Sequence, residues 1–145
     1  MKPFFLLTII LNIAYTLSTY GQGAMPAWIQ KPPAKTSTYY YRVSQATGLT
    51  EEAATKKAFA MAILESAFAI GVPVNLQKME QLESDKLLVE ANRYVKIPIN
   101  KVCQHVMELT TRRGYRVFIL CQVANNVHEK PIFKTFNCTL NKEEE

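Results

Sequence analysis

Residues 51–70 constrain the fold more than any other stretch of this 145-residue chain. The spacing predicts a helix there. Thr50 is placed to cap it, and Glu51 and Glu52 sit in the first turn, where carboxylates meet the positive end of the helix dipole. Gly71 suits the left-handed position after the last turn, and Pro73 stops continuation. At 100° per residue Phe59, Ile63 and Ile70 fall on one side, while Met61, Leu64 and Phe68 fall on another. Alanines at 53, 54, 58, 60, 62, 67 and 69 fill much of the remainder. A helix apolar over so much of its circumference must be covered from more than one direction. A sheet is expected on one side, and a second helix or another subunit on the other. The Met/Phe stripe is read as core packing rather than as the lining of a ligand pocket.

The flanking segments supply the sheet. Tyr39 to Ala46 reads as a strand, with Tyr39, Tyr41 and Val43 on one face and Tyr40, Arg42 and Ser44 on the other. Tyr115 to Ala124 is nearly continuous in apolar residues, the pattern of a central strand buried on both faces. Val72–Met79 and Leu87–Ile99 read as two strands joined through the polar segment 80–86. Asn100 is then expected to cap a shorter helix from Lys101 to about Arg113, because Val102, Val106 and Leu109 follow i, i+4, i+7. The predicted fold is therefore α+β in the order β-α-β-β-α-β, an antiparallel sheet with two helices packed on one face, ferredoxin-like or related.

The domain organisation follows. Lys2 supplies a positive charge, Phe4 to Leu17 an apolar stretch, and residues 18–24 small and turn-prone types, the order of a secretory signal peptide. The apolar run is shorter than the roughly 18–20 residues that span hydrocarbon, so no stable membrane anchor is expected after cleavage. Small residues at Thr19 and Gly21 place cleavage before Gln22, with cleavage before Ala24 as the alternative, and no Cys stands there to be lipidated. The expected divisions are 1–21 signal peptide, 22–37 extended Pro-rich leader, 38–126 α+β domain and 127–145 C-terminal tail with one edge strand at most. The expected location is periplasmic or secreted. The formal net charge of +5 comes from scattered basic residues, a solvated cationic surface rather than a nucleic-acid stripe.

Few residues offer chemistry. Three cysteines in an exported chain make one bridge and one free thiol, or a bridge between chains. Cys103 and Cys121 are the candidate pair, with buried free cysteines as the alternative, and Cys138 is the expected free or intermolecular thiol. Cys103 and His105 stand two apart on the predicted helix, on opposed sides, and no C-x-x-C or H-x-x-x-H spacing occurs, so neither metal nor cofactor is expected. There is no G-x-S-x-G, phosphate loop or H-E-x-x-H motif. Arg112, Arg113 and Arg116, with Lys96, Lys101 and Tyr115, form the best basic cluster, read first as carbonyl and dipole partners at a helix end and secondarily as phosphate contacts. Trp28, Tyr39, Tyr40 and Tyr41 are the aromatic candidates, either as core plugs or as an exposed platform for a partner or glycan.

Met25 to Ile29 (Met-Pro-Ala-Trp-Ile), Pro32 and Pro33, residues 39–43 (Tyr-Tyr-Tyr-Arg-Val), Gly48, Glu51 to Ala53 and the alanine-rich helix form an ordered pattern. It resembles the N-terminal half of the LPP-twenty lipoprotein domain and the similar N-terminal domain of flagellar assembly protein T. The run at 115–120 is similar to that family's late core strand, so the likeness extends over about Met25 to Val123. The resemblance implies an envelope-associated α+β domain without known catalytic residues, serving assembly or surface interaction. The lipidation Cys is missing here, and residues 100–113 and the tail have no counterpart. The functional expectation is an exported non-enzymatic interaction domain that binds an envelope protein or itself. A small ligand- or glycan-binding module is the alternative, and a thiol-dependent enzyme centred on Cys103 or Cys138 the third.

Overall fold

The computed structural model describes residues 24–95, 97–126 and 131–145. Residues 1–21, the expected signal peptide, and Lys96 of the basic cluster lie outside them. The described elements are α1 (Ala27–Gln30), β1 (Tyr39–Gly48), α2 (Glu51–Ala69), α3 (Leu76–Glu80), α4 (Ser84–Asn92), β2 (Ile99–Glu108), β3 (Tyr115–Ala124), β4 (Phe136–Asn137) and β5 (Lys142–Glu143). The three long strands form an antiparallel sheet ordered β1-β3-β2, and β4 and β5 form a separate small hairpin. The fold is α+β.

α2 forms as its residues dictate. The Thr50 hydroxyl accepts from Ala53 N–H at 3.1 Å, and Gly71 ends the helix at φ 86°. Ala54, Ala58 and Ala62 lie against Val117, Ile119, Cys121 and Val123 of β3 and against the Tyr40/Ala46 face of β1. Methyl side chains permit this close approach, and Gly48 completes it: a Cβ there would meet Ala54 N at 2.7 Å. The opposite side of α2, with Ala60, Ile63 and Leu64, packs on Leu87 and Ala91 of α4. The two-sided cover expected for this helix is thus sheet below and helix above.

The other face of the sheet is also covered. Tyr39, Tyr41, Phe118, Leu120 and Cys103 pack with Trp28 from the leader and Phe136 from the tail. β3 consequently has every residue from Val117 to Ala124 buried.

The leader, expected to be extended, carries the short helix α1 at Ala27–Gln30. Within residues 38–126 two further segments depart from the sequence reading, so the β-α-β-β-α-β order and the ferredoxin-like arrangement are corrected to one strand, three helices and two strands. Residues 76–80 and 84–92 are helical rather than extended. Leu87 and Ala91, four apart, are the two buried residues of α4, a helical repeat hidden within an apolar run that also suits a strand. Residues 99–108 are a strand rather than a helix. Val102 and Val106 satisfy both the helical and the two-residue period. β3, buried on both faces, needs a hydrogen-bonding neighbour on each edge, and β2 supplies the second.

Candidate interaction surface

The predicted aromatic residues turn inward. Trp28 is 1% exposed, Tyr39 2% and Tyr41 8%, so these three rings offer no open platform to a glycan or partner. Tyr40 lies on the α2 face, half-buried, with the Arg42 guanidinium 5.8 Å from its ring centre. What the rings build instead is a polar clasp under the tail. The Tyr39 and Tyr41 hydroxyls donate to one Glu143 carboxylate oxygen at 2.5 and 2.8 Å. Buried Gln122 donates to the Tyr41 hydroxyl at 3.1 Å and to the Lys134 carbonyl at 2.9 Å.

The Tyr39 hydroxyl holds the Glu143 carboxyl below its ordinary range, with help from Tyr41 and Lys134. Burial first, then Glu143, pushes the Tyr39 hydroxyl upward; burial also raises Tyr41, against an opposing hydrogen bond from Gln122. A carboxyl depressed in the folded state stabilises fully above its unfolded pKa and loses that contribution as pH falls through its folded value. A phenol raised in the folded state stabilises below its unfolded pKa and loses that contribution at higher pH. Stability is therefore expected to be level between about pH 5 and 9 and to fall on both sides. Urea midpoints across pH check this, and Glu143→Gln should flatten the acid limb.

The cysteines pair differently from the sequence reading. Cys103 is bonded to Cys138, and Cys121 is free and buried. The Cys103–Cys121 pairing is corrected by sheet geometry. Cys121 faces α2, whereas the register places Cys103 opposite Leu120 on the tail face. A bulge between Lys101 and Cys103 causes this: it shifts the strand by one residue and turns Cys103 to the other side. Burial pushes the Cys121 thiol up to about 12, leaving it protonated and unreactive. With Cys103 and Cys138 joined, no nucleophilic thiolate is on offer.

The basic residues do not converge either. Arg112 and Arg113 are exposed in the β2–β3 turn, not at a helix end, and Arg116 is exposed at the start of β3. Lys101 stands most of the length of β2 away, opposite Cys121. Among the described residues no group of three or more His, Cys, Asp or Glu side chains could hold a metal ion.

The open apolar surface belongs instead to the outer helical layer. Asn75 caps α3 by accepting from Lys78 N–H at 3.0 Å, and a short turn then leads into α4. α4 spends Leu87 and Ala91 on α2, with Leu88 partly buried beside them, and leaves Val89 outward, 58% exposed. Val89, Met79 and Leu82 line a groove of about 570 Å³ between the two helices. Lys78, Lys86, Asp85 and Glu90 form its rim. The rim is braced by ion pairs: Lys56 to Asp85 at 2.8 Å and to Glu52 at 2.7 Å, and Arg93 to Glu90 at 3.1 Å. Asp85 and Glu52 together hold the Lys56 ammonium above its ordinary pKa. An apolar floor inside a charged rim is the anatomy of a protein-docking surface. The sequence reading misses it because it places Met79 and Val89 in strands and Leu82 in the polar connector between them; the spacing of four between Leu87 and Ala91 is the helical signal that points Val89 outward.

Compared with family models, curated proteins and solved structures, the chain matches none. No helix among the described residues is long and apolar enough to cross a membrane.

Proposed function

We propose that this chain is an exported, non-catalytic interaction domain of the cell envelope that docks a protein partner on the α3–α4 groove. The observation that carries the reading is the apolar floor inside its charged rim, made of exposed Val89 beside half-buried Met79 and Leu82. A core residue in that position would be buried; a solvated helix would present polar side chains there. Export rests on the order of charge, apolar run and small residues at the N-terminus, and the Cys103–Cys138 bridge supports it, since such bridges persist in oxidising compartments. The likeness of Met25–Val123 to LPP-twenty domains belongs to the same reading, carried by the Pro-x-Trp leader, Gly48 and the alanine-rich helix.

A photo-crosslinking side chain at position 89 is expected to capture one discrete envelope protein in cells, while the same probe at exposed Lys142 captures none. Val89→Glu should abolish capture through a probe at position 82 without changing the thermal midpoint. Equal, diffuse labelling from positions 89 and 142 would sink the groove as a docking site.

A further inference from the structure

The sheet has two long edges, and only one is guarded. β2 carries a bulge at Lys101/Cys103, exposed Lys101, Gln104 and Glu108, and a covalent tie to the tail beside Val102. Bulges, charges and covering segments are how proteins blunt an edge strand. Among the described residues β1 has no bulge and no covering segment. It runs ten residues in unbroken register with β3, and its one charge, Arg42, turns back to Glu65 of α2.

The outer main-chain groups of β1 can be followed one by one. Thr38 C=O accepts from Asn125 N–H, so Thr38 faces the β3 side and alternate residues from Tyr39 onward face outward. Tyr39 is satisfied locally: its N–H donates to the Thr36 hydroxyl, and its C=O accepts from Thr36 N–H. The outward groups of Tyr41, Val43, Gln45 and Thr47 have no hydrogen-bond partner among the described residues.

We infer that β1 is a homodimerisation edge, pairing antiparallel with β1 of a second copy about a twofold axis through Ser44, to give a continuous six-stranded sheet. This register uses all four open residues: Tyr41 opposite Thr47 of the partner subunit, and Val43 opposite the partner's Gln45. Centring on Val43 would set Thr47 against the already capped Tyr39.

Charge selects a second copy over an unrelated peptide. Glu65 accepts from Ser44 at 3.0 Å and from Arg42 Nη1 at 3.4 Å, while Arg42 Nε is buried without a partner. The axis through Ser44 brings the partner's Glu65 beside this Arg42, so each guanidinium spans two carboxylates. Shape agrees. α2 lies over β1 and β3, so strands ~4.8 Å apart set the two α2 helices about 10 Å apart, an ordinary helix-packing distance. The flank of α2 above this edge carries Lys57 and Phe68, and Phe68 is 57% exposed in the single chain.

This inference deepens the interaction reading by naming a second copy as partner, on a surface separate from the groove. The test is native mass spectrometry and sedimentation of the purified native protein from micromolar to millimolar concentration. A concentration-dependent dimer is expected, with the Val43 and Gln45 amides protected from hydrogen exchange in the dimer and exchanging on dilution. Gln45→Pro removes an outward N–H and leaves the ladder to β3 intact; it should abolish the dimer with the far-ultraviolet spectrum unchanged. Thr47→Pro does the same one pair farther from the axis. A protein monomeric at millimolar concentration overturns the inference, as does a dimer in which those amides gain no protection or which either folded proline variant retains. Val89→Glu should leave the dimer intact and Gln45→Pro should leave crosslinking at position 89 intact, so the two readings fail separately.

Discussion

Replacing Trp28 by Ala is expected to lower stability by about 3–5 kcal/mol, the usual cost of deleting a fully buried large aromatic side chain. Trp28 is 1% exposed and comes from a helix of only four residues that cannot hold itself together. Its ring is what binds the Pro-rich leader to the sheet, packed in one cluster with Tyr39, Phe118 and Leu120. Its loss should therefore also free residues 24–38 to limited proteolysis while β3 keeps its hydrogen-exchange protection. As the sole tryptophan, it reports on itself: blue-shifted native emission should move red on unfolding in urea, and Trp28→Phe should recover most of the lost stability. A change below about 1 kcal/mol for Trp28→Ala, the range of surface substitutions, would show that this residue is not core.

The second large effect is expected at the disulfide. Cys103 and Cys138 are 35 residues apart, and closing a loop of that length constrains the unfolded chain by about 3–4 kcal/mol. The double replacement Cys103→Ala/Cys138→Ala should cost that much in urea unfolding. It should also loosen the tail, which would then be held without a covalent tie, by the packing of Phe133 and Phe136 and by the hydrogen bonds of Tyr39, Tyr41 and Gln122. Thiol counting sharpens the result. Native unreduced protein should show no reactive thiol, and unfolded unreduced protein one, Cys121. A bridge to Cys121 instead would leave Cys138 reactive in the native state and refute the sheet-face argument.

The residues of α2, β1 and β3 carry their structures openly through separate signals: cap, stop and alanines for α2, alternation for β1 and a long apolar run for β3. Thr50, Gly71 and the alanines allow only a helix. The eight buried residues ending β3 allow only a central strand. Even the cover on both sides of α2 was legible, since an apolar circumference admits no other solution in water. The segment 72–108 was not legible. Its apolar residues fall at spacings of two, four and seven that serve helix and strand alike, and local propensity does not decide between them. The docking groove was lost with that segment, since Val89 is outward only if residues 84–92 are a helix.

The sequence by itself determined an α+β core and the two-sided burial of its main helix. Tertiary structure decided the rest. The demand of β3 for a neighbour on each edge made residues 99–108 a strand, and one bulged residue chose the partner of Cys103. The aromatic residues of the leader and of β1 became core rather than surface because the tail returns over them, a contact between Tyr39 and Glu143 across 104 positions of sequence. Such pairings depend on what the rest of the chain leaves exposed, and no local window contains that information.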